Sequence, residues 1–338
     1  MNRRMTRITI IGGGSLGHVC AAVLGSQADT EVTMLTQRPL AWSTQVSAVD
    51  NDGKTYQSAV TATADTQSAI EQADIVLLTL PGFLIEKNLQ AIRPYLRENT
   101  TVGSIVSSTG FFFFAHRILD KKTPLFGFQR VPFIARVAEY GKKGLLLGYK
   151  SELFMATENI TEAEAFASLM AQLLGTPIHL LESFYEAALT NSNPILHTGR
   201  LYAMWHEYNG EKRAECGLFY REWDNASSET IIQMDEEFQQ LLTRLPVREG
   251  IIPTLLTYYE STDAASLTRK IQSIKAFENI TSPMIETESG WGPDFESRYF
   301  TEDFPFGLRF IYELAKEHQI DTPMIDRVYA WGMSIVNR

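Results

Sequence analysis

Cysteine is scarce in this 338-residue chain, which contains only Cys20 and Cys216. Two cysteines cannot form a disulfide framework, and neither has metal-ligand spacing to the other or to a histidine cluster. The sequence therefore argues against a disulfide-rich secreted protein and against a metal centre. A cytoplasmic location is expected.

Long hydrophobic runs are also missing. The most apolar stretches beyond the N-terminus, residues 75–80 and 111–114, are far shorter than the roughly 20 residues that a membrane helix needs. The opening MNRRMTRITII carries positive charges, but its apolar run is short and ends in three glycines. We expect neither a membrane span nor a signal peptide.

Positive charge is in deficit, with 30 lysines and arginines against 40 aspartates and glutamates, a formal net charge of -10. Such a surface does not favour nucleic acid or anionic membrane as a partner, so small-molecule partners are expected. With 44% hydrophobic and 21% charged residues the chain is typical of globular proteins. Its length exceeds one ordinary core and predicts two domains with a cleft.

The two halves differ in periodicity. In the first, short apolar runs alternate with helical segments, as in a parallel sheet covered by helices. Glycine and aromatic punctuation within residues 125–149 predicts a hairpin that closes the sheet. The predicted strands are 7–11, 31–35, 73–80, 101–107, 153–156 and 178–181, and the first helix is 15–25.

Beyond about residue 182 the strand-like runs give way to amphipathic segments such as 230–245 and 307–318. These predict helices. The sequence therefore predicts an α/β Rossmann domain with a doubly wound parallel sheet over residues 1–181, followed by an all-α substrate and catalytic domain over residues 182–338.

A glycine motif follows the first predicted strand. Gly12, Gly14 and Gly17 form GxGxxG, with Ser15 and Leu16 between the last two glycines, at the start of a helix. The first glycine permits a tight turn, the second lets backbone amides approach a pyrophosphate, and the third lets helix and strand pack closely. This context predicts a dinucleotide site rather than a ligand-free turn.

The end of the second strand bears on which dinucleotide binds. An NAD site usually has a carboxylate there for the ribose hydroxyls, whereas this chain reads Thr36, Gln37, Arg38. A guanidinium suits a 2′-phosphate, so NADP is favoured, although Arg38 could also be an ordinary surface arginine. Leu80 and Pro81, at the end of a buried strand, are weaker cofactor-binding candidates.

In the second half, the run NSNPILHTGRLY is the most informative. Asn193 suits an N-cap and Pro194 the first turn, which places His197 one turn into a helix that we expect to stop at Asn209 and Gly210. Here the sequence resembles the octopine/nopaline dehydrogenase family of opine dehydrogenases. The resemblance continues in FGFQRVPFIARV, SRYFTEDFPFGL and DTPMIDRVYAW.

The resemblance implies an NAD(P)H-dependent reductive condensation of an amino acid or other amine with a 2-oxo acid such as pyruvate, through an imine and in reversible fashion. It implies a dyad of His197 and Asp303, with Arg298 binding the substrate carboxylate. Asn193 and Gln129 are further substrate-binding candidates. Several family members use NAD, so the Thr36–Arg38 end is a departure that keeps NAD open, and a homodimer is an assembly that the sequence allows.

These residue types fit the chemistry. Imine formation and reduction need proton transfer near neutral pH, for which imidazole is suited. A carboxylate on the other ring nitrogen fixes the tautomer and stabilises the imidazolium. Each residue also has a structural alternative: a hydrogen-bonded histidine within a domain interface for His197, and a surface ion-pair network for Arg298 and Asp303.

Two other functions are open. A ketopantoate-reductase-like enzyme would share the two-domain plan, but such enzymes typically use a lysine on the helical domain, where this chain offers His197. A non-catalytic NADP-binding sensor would bind the cofactor without turnover.

Overall fold

The computed structural model describes residues 5–337. The chain divides into two compact units, the first ending at Ala188 and the second beginning at Leu189. The predicted boundary after residue 181 lies a few residues before this division. Among the described residues, no helix has the length and apolar content needed to cross a bilayer.

The first unit is built on a sheet of eleven strands within the described residues, in the order β11-β10-β7-β6-β5-β1-β2-β4-β3-β9-β8. The strands are β1 (Thr6–Ile11), β2 (Thr30–Leu35), β3 (Gln45–Asp50), β4 (Thr55–Thr63), β5 (Ile75–Leu78), β6 (Thr101–Ile105), β7 (Leu125–Phe128), β8 (Phe133–Glu139), β9 (Lys143–Tyr149), β10 (Leu153–Glu158) and β11 (Ile178–Leu180). The helices are α1 (Ser15–Gly25), α2 (Thr66–Ile70), α3 (Gly82–Ile92), α4 (Phe111–Ile118), α5 (Ala163–Leu174) and α6 (Phe184–Ala188).

The carboxyl ends of β1 and the parallel strands beside it lie at one edge of the sheet. Strand β1 pairs in parallel with β2 and β5, and its last residue, Ile11, is in register with Leu35 and Leu78. Leu78 is in turn in register with Ser104 of β6. Because these strands run in parallel, the residues that follow them emerge at one edge, where α/β sheets bind their ligands.

The predicted α/β sheet is confirmed, with differences in detail. The strands predicted at 73–80 and 101–107 are shorter, because the chain turns away at the sheet edge. The prediction missed β3 and β4, an antiparallel pair joined by the turn after Asp50 in which Gly53 has φ +82. Each strand buries only two residues, Val46 and Ala48 in β3 and Ser58 and Val60 in β4, so neither forms a continuous apolar run.

The core of the first unit lies between the sheet and its helices. Almost every residue of α1 after Leu16 is buried, together with β1 residues such as Ile8 and Ile10. Three of the four consecutive phenylalanines at the start of α4 are also buried: Phe111, Phe112 and Phe114. Burial of these large apolar surfaces is the main source of stability for such a unit.

The second unit is mainly helical. Its helices are α7 (Asn193–Trp205), α8 (Asn225–Leu242), α9 (Leu255–Tyr258), α10 (Ala264–Ser273), α11 (Arg298–Thr301), α12 (Arg309–Glu317) and α13 (Pro323–Val336). It also contains one antiparallel hairpin, β12 (Met284–Thr287) and β13 (Gly290–Pro293), so the expectation of an all-α domain is corrected in this respect. Glu286 and Thr287 of this hairpin are exposed, and no apolar alternation marked it in the sequence.

Helix α7 begins at Asn193 with Ser192 as its N-cap, one residue before the predicted cap. It ends at Trp205, short of the predicted Asn209, because the chain turns back there and the Tyr208 N–H donates to the Trp205 carbonyl. The helix predicted over 307–318 is a π-helical turn, Phe304–Leu308, that continues into α12.

Candidate active site

The three glycines of the motif occupy distinct environments between β1 and α1. Gly12 has φ +123, a backbone conformation that favours glycine. A Cβ on Gly17 would collide with the Gly12 carbonyl oxygen, so this glycine allows helix and strand to pack closely. A Cβ on Gly14 would meet nothing within 4 Å, so open space lies over the helix N-terminus.

His18 holds the glycine turn in place. Its Nδ1 lies 2.8 Å from the Gly14 carbonyl oxygen, and its Nε2 accepts the Gly141 N–H at 2.6 Å. The Gly14 carbonyl can only accept, so Nδ1 carries the proton. Burial lowers the pKa of His18, which keeps the ring neutral, as expected of a structural histidine.

The side chain of Arg38 is supported by a ring. Thr36, directly after β2, is buried, while Gln37 and Arg38 are exposed. The Arg38 guanidinium lies 4.0 Å from the ring centroid of Tyr140, which belongs to the turn between β8 and β9. Within residues 5–337 the guanidinium has no carboxylate partner, so no protein anion competes with a bound phosphate for it.

In the second unit, His197 and Asp303 come together although 106 residues separate them. His197 lies one turn into α7 and is buried, and its Nδ1 is 2.8 Å from Asp303 Oδ2. The carboxylate fixes the tautomer in which Nδ1 carries the proton. The arrangement matches the pair that the sequence resemblance implied.

A close approach of two segments places Asp303. Asp303 precedes the π-helical turn, and a Cβ on Gly307 within that turn would lie 2.8 Å from Cγ of Pro194. On the other side of the turn, Gly332 of α13 leaves room for the buried ring of Phe304. The turn therefore packs directly against the start of α7 because two glycines lack side chains.

The remaining predicted site residues occupy different settings. Arg298 begins α11, five positions before Asp303, and its exposed guanidinium has no ion-pair partner among the described residues. Asn193 is the half-buried first residue of α7, and its backbone N–H donates to Asn191 Oδ1. In the first unit, the Gln129 side chain donates to the Glu186 carbonyl, and Leu80 and Pro81 lie half-buried between β5 and α3.

The two halves of the chain match different family models. Residues 180–336 match the family model "NAD/NADP octopine/nopaline dehydrogenase, alpha-helical domain", and residues 8–108 match the ketopantoate reductase PanE/ApbA model. Octopine dehydrogenase of Mizuhopecten yessoensis is 26% identical over 98% of this chain and 90% of that protein. Tauropine dehydrogenase of Arabella iricolor is 26% identical over 99% and 92%.

The solved structures agree on the fold. An octopine dehydrogenase solved with NADH and L-arginine has a TM-score of 0.85 to this chain, at 24% identity over 98% of this chain and 90% of that one. A helical domain of the octopine type thus follows a ketopantoate-reductase-like nucleotide domain, with full-length relatives on the same plan. The chain is thus similar over nearly its full length to members of the octopine/nopaline dehydrogenase family. It is an NAD(P)-dependent oxidoreductase of the opine dehydrogenase type.

The residues around the glycine turn fit a nicotinamide dinucleotide. Helix α1 has no side-chain cap at its N-terminus and no acidic residue in its first turn, so its free N–H groups and dipole face the open space over Gly14. That is the environment a pyrophosphate requires. Gly12, Ser15, Leu16 and Gly17 form the turn that would hold it.

Sequence reasoning missed several residues around the dyad. Tyr220, in the turn before α8, places its hydroxyl 2.7 Å from Nε2 of His197. The Tyr299 ring lies 4.7 Å from the His197 ring and is adjacent in sequence to Arg298, which gave the only available signal. Burial, followed by the proximity of Tyr299, Tyr259 and Asp303, raises the pKa of Tyr220 well above its usual value.

Proposed function

We propose that this protein condenses the amino group of an amino acid, or another amine, with a 2-oxo acid such as pyruvate and reduces the resulting imine with NADPH. The reaction is reversible. The observation that carries the proposal is the buried His197–Asp303 pair. In the other unit, helix α1 follows the glycine turn and has no side-chain cap, which suits a dinucleotide.

The proposed roles follow from the side chains. His197 exchanges the protons that imine formation and reduction require, because imidazole titrates near neutral pH. Asp303 orients the ring and stabilises its protonated form. Arg298 offers a planar pair of donors to the substrate carboxylate. Asn193 and Gln129 supply polar contacts to the substrate.

The cofactor, when bound, supplies the hydride that reduces the carbon–nitrogen double bond. We propose NADPH in preference to NADH because the exposed Arg38 guanidinium, stacked on Tyr140, presents charged donors where a 2′-phosphate would lie. Thr36 accepts the Arg38 backbone N–H at 3.3 Å and helps to fix this end of the sheet. Leu80 and Pro81 are proposed to contact the cofactor at the neighbouring strand end.

The test is oxidation of NADPH by the full chain with pyruvate, with a panel of amino acids, and with both together. The proposal expects turnover only when both substrates are present, and mass analysis should find a secondary amine that joins them. Turnover with a 2-oxo acid alone would support a keto-acid reductase, and NADPH binding without any turnover would support a sensor. The cytoplasmic location and the homodimer stay predictions.

A further inference from the structure

Both ring nitrogens of His197 are bonded to protein groups. Nδ1 lies 2.8 Å from Asp303 Oδ2, and Nε2 lies 2.7 Å from the Tyr220 hydroxyl oxygen. Because the Nδ1 proton is directed at the carboxylate, Nε2 of the neutral ring accepts from the phenol. A proton that enters or leaves at Nε2 must therefore pass through the Tyr220 hydroxyl, or this hydrogen bond must first break.

The surroundings of Tyr220 favour passage through the hydroxyl. Its buried ring is stacked on Phe277 at 4.3 Å between centroids, and it is nearly parallel to the Trp223 ring. Phe219, next in the chain, also packs against His197. Displacing the phenol would break these contacts and leave a buried nitrogen and hydroxyl without partners, which is costly in an apolar shell.

The phenol is suited to passing protons rather than storing charge. Burial, followed by the nearby Tyr299, Tyr259 and Asp303, raises the pKa of Tyr220, so its hydroxyl stays protonated across the working pH range. It can release its proton only while it receives another from the imidazole. Tyr299, half-buried and adjacent in sequence to Arg298, lies close enough to Tyr220 to contribute to this rise in its pKa.

We propose that Tyr220 is a further catalytic residue, the terminal group of an Asp303–His197–Tyr220 relay that delivers the proton to the reacting oxygen. The proposal rests on the proposed function. As the carbinolamine of amine and oxo acid loses water, Tyr220 gives its proton to the departing hydroxyl and takes the Nε2 proton of the imidazolium. The C–O bond breaks, the nitrogen lone pair forms the C=N bond, and the positive charge passes from imidazolium to iminium.

The test is Tyr220→Phe, which removes the hydroxyl and keeps the stacked ring. We expect kcat to fall by about 100 to 1,000-fold, within the range for acid–base groups, while the KM values of NADPH, amine and oxo acid change by less than about threefold. In mixtures of light and heavy water, the rate of the natural enzyme should depend on more than one transferred proton. In Tyr220→Phe that multi-proton dependence should be lost.

The control is Tyr312→Phe, because Tyr312 is also stacked, 4.3 Å from the Tyr329 ring, and the hydrogen bonds and ring contacts of His197 among the described residues do not include it. It should keep natural kcat and isotope dependence. A double variant supplies a second readout: in a His197→Ala background, Tyr220→Phe should lower kcat by less than about twofold, because the phenol acts through the imidazole. A full additive loss, or an unchanged multi-proton dependence in Tyr220→Phe, would overturn the relay.

Failure of the relay and failure of the proposed function give different results. If the natural enzyme reduces an oxo acid without an amine, the condensation is wrong, and the same isotope comparison on that reduction still decides whether Tyr220 passes the proton. If the enzyme condenses both substrates but Tyr220→Phe retains natural kcat, the function stands and the relay is rejected. If no turnover occurs at all, both are rejected.

Discussion

At the scale of single residues, the proposed proton chemistry depends on how the His197 imidazole is held. His197 is buried, its Nδ1 is bonded to Asp303, and its ring packs against Phe219 and Tyr299. Such a ring has one tautomer and one orientation available. Reactivity then depends on the carboxylate as much as on the histidine, because the carboxylate both orients the ring and stabilises its charged form.

Replacing the members of this pair should therefore produce linked losses. His197→Ala should lower kcat by about two to four decades, the usual range for a lost general acid or base, with little change in NADPH affinity. Asp303→Asn should also lower kcat, because an amide can favour the wrong tautomer. Steady-state kinetics of the double variant should show far less than additive loss. Near-full turnover of His197→Ala with amine and oxo acid would assign the residue a structural role.

The proposed preference for NADPH also depends on one side chain, Arg38. Arg38→Ala should raise the KM for NADPH much more than the KM for NADH, because only NADPH carries the 2′-phosphate. The loss of a charge-assisted contact is worth about 1.5 to 3 kcal/mol, or about one to two decades in affinity. Arg93→Ala, another exposed arginine of the first unit, is the control and should leave both values unchanged. Equal effects of Arg38→Ala on the two cofactors would remove the case for NADP.

At the scale of elements, the dyad depends on the contact between the π-helical turn and the start of α7. Gly307 faces Pro194, whose ring is rigid and cannot move aside, and Phe304 of the same turn fills the space beside Gly332. This contact depends on the volume available between the two segments, which a hydrogen bond would not supply.

Gly307→Ala should therefore disturb both stability and turnover. The added Cβ would lie 2.8 Å from Pro194 Cγ, and such overpacking typically costs about 1 to 3 kcal/mol. A shift of Asp303 away from His197 should lower kcat as well. Gly148→Ala is the matched control, since its Cβ would lie at an ordinary 3.4 Å from Ile134 Cδ1. Thermal unfolding and kcat for both variants would check the prediction, which an undisturbed Gly307→Ala enzyme would contradict.

At the scale of the whole molecule, the proposed cofactor-binding and catalytic residues lie in different units. The first holds the dinucleotide turn and Arg38, and the second holds His197, Asp303 and Arg298. Each unit has its own buried core, with residues such as Ile10 in the first and Phe304 in the second. A change that abolishes cofactor binding in one unit need not disturb the fold of the other.

Gly14→Val tests this division. Gly14 has φ −83 and ψ −171, an extended conformation open to any residue, and its Cβ would meet no protein atom within 4 Å. The valine should therefore be accepted by the folded chain but occupy the space that a pyrophosphate needs. Fluorescence titration should find NADPH binding abolished, while circular dichroism and thermal unfolding stay close to natural. Unimpaired nucleotide affinity would refute the phosphate-binding role of this turn.

The sequence alone could determine what is encoded within a few residues. The turn from Gly12 to Gly17 depends on backbone freedom at neighbouring positions, and the start of α7 depends on the Asn193–Pro194 pair, so both were visible as patterns. Motif resemblance extended this to Asp303 and Arg298. The predicted strands of the α/β sheet were visible for the same reason, because each is a short apolar run. Strands β3 and β4 have no such run, so the sequence did not reveal them.

Tertiary structure decided the contacts between distant segments. Tyr220 meets His197 from a turn 23 residues away, and Tyr140 supports Arg38 from the turn between two strands far along the chain. No spacing rule links these positions, because each contact depends on how separate elements pack. The sequence specified the chemistry of the groups, and packing decided which group each one touches, since hydrogen bonds and stacked rings form only at distances that the folded chain sets.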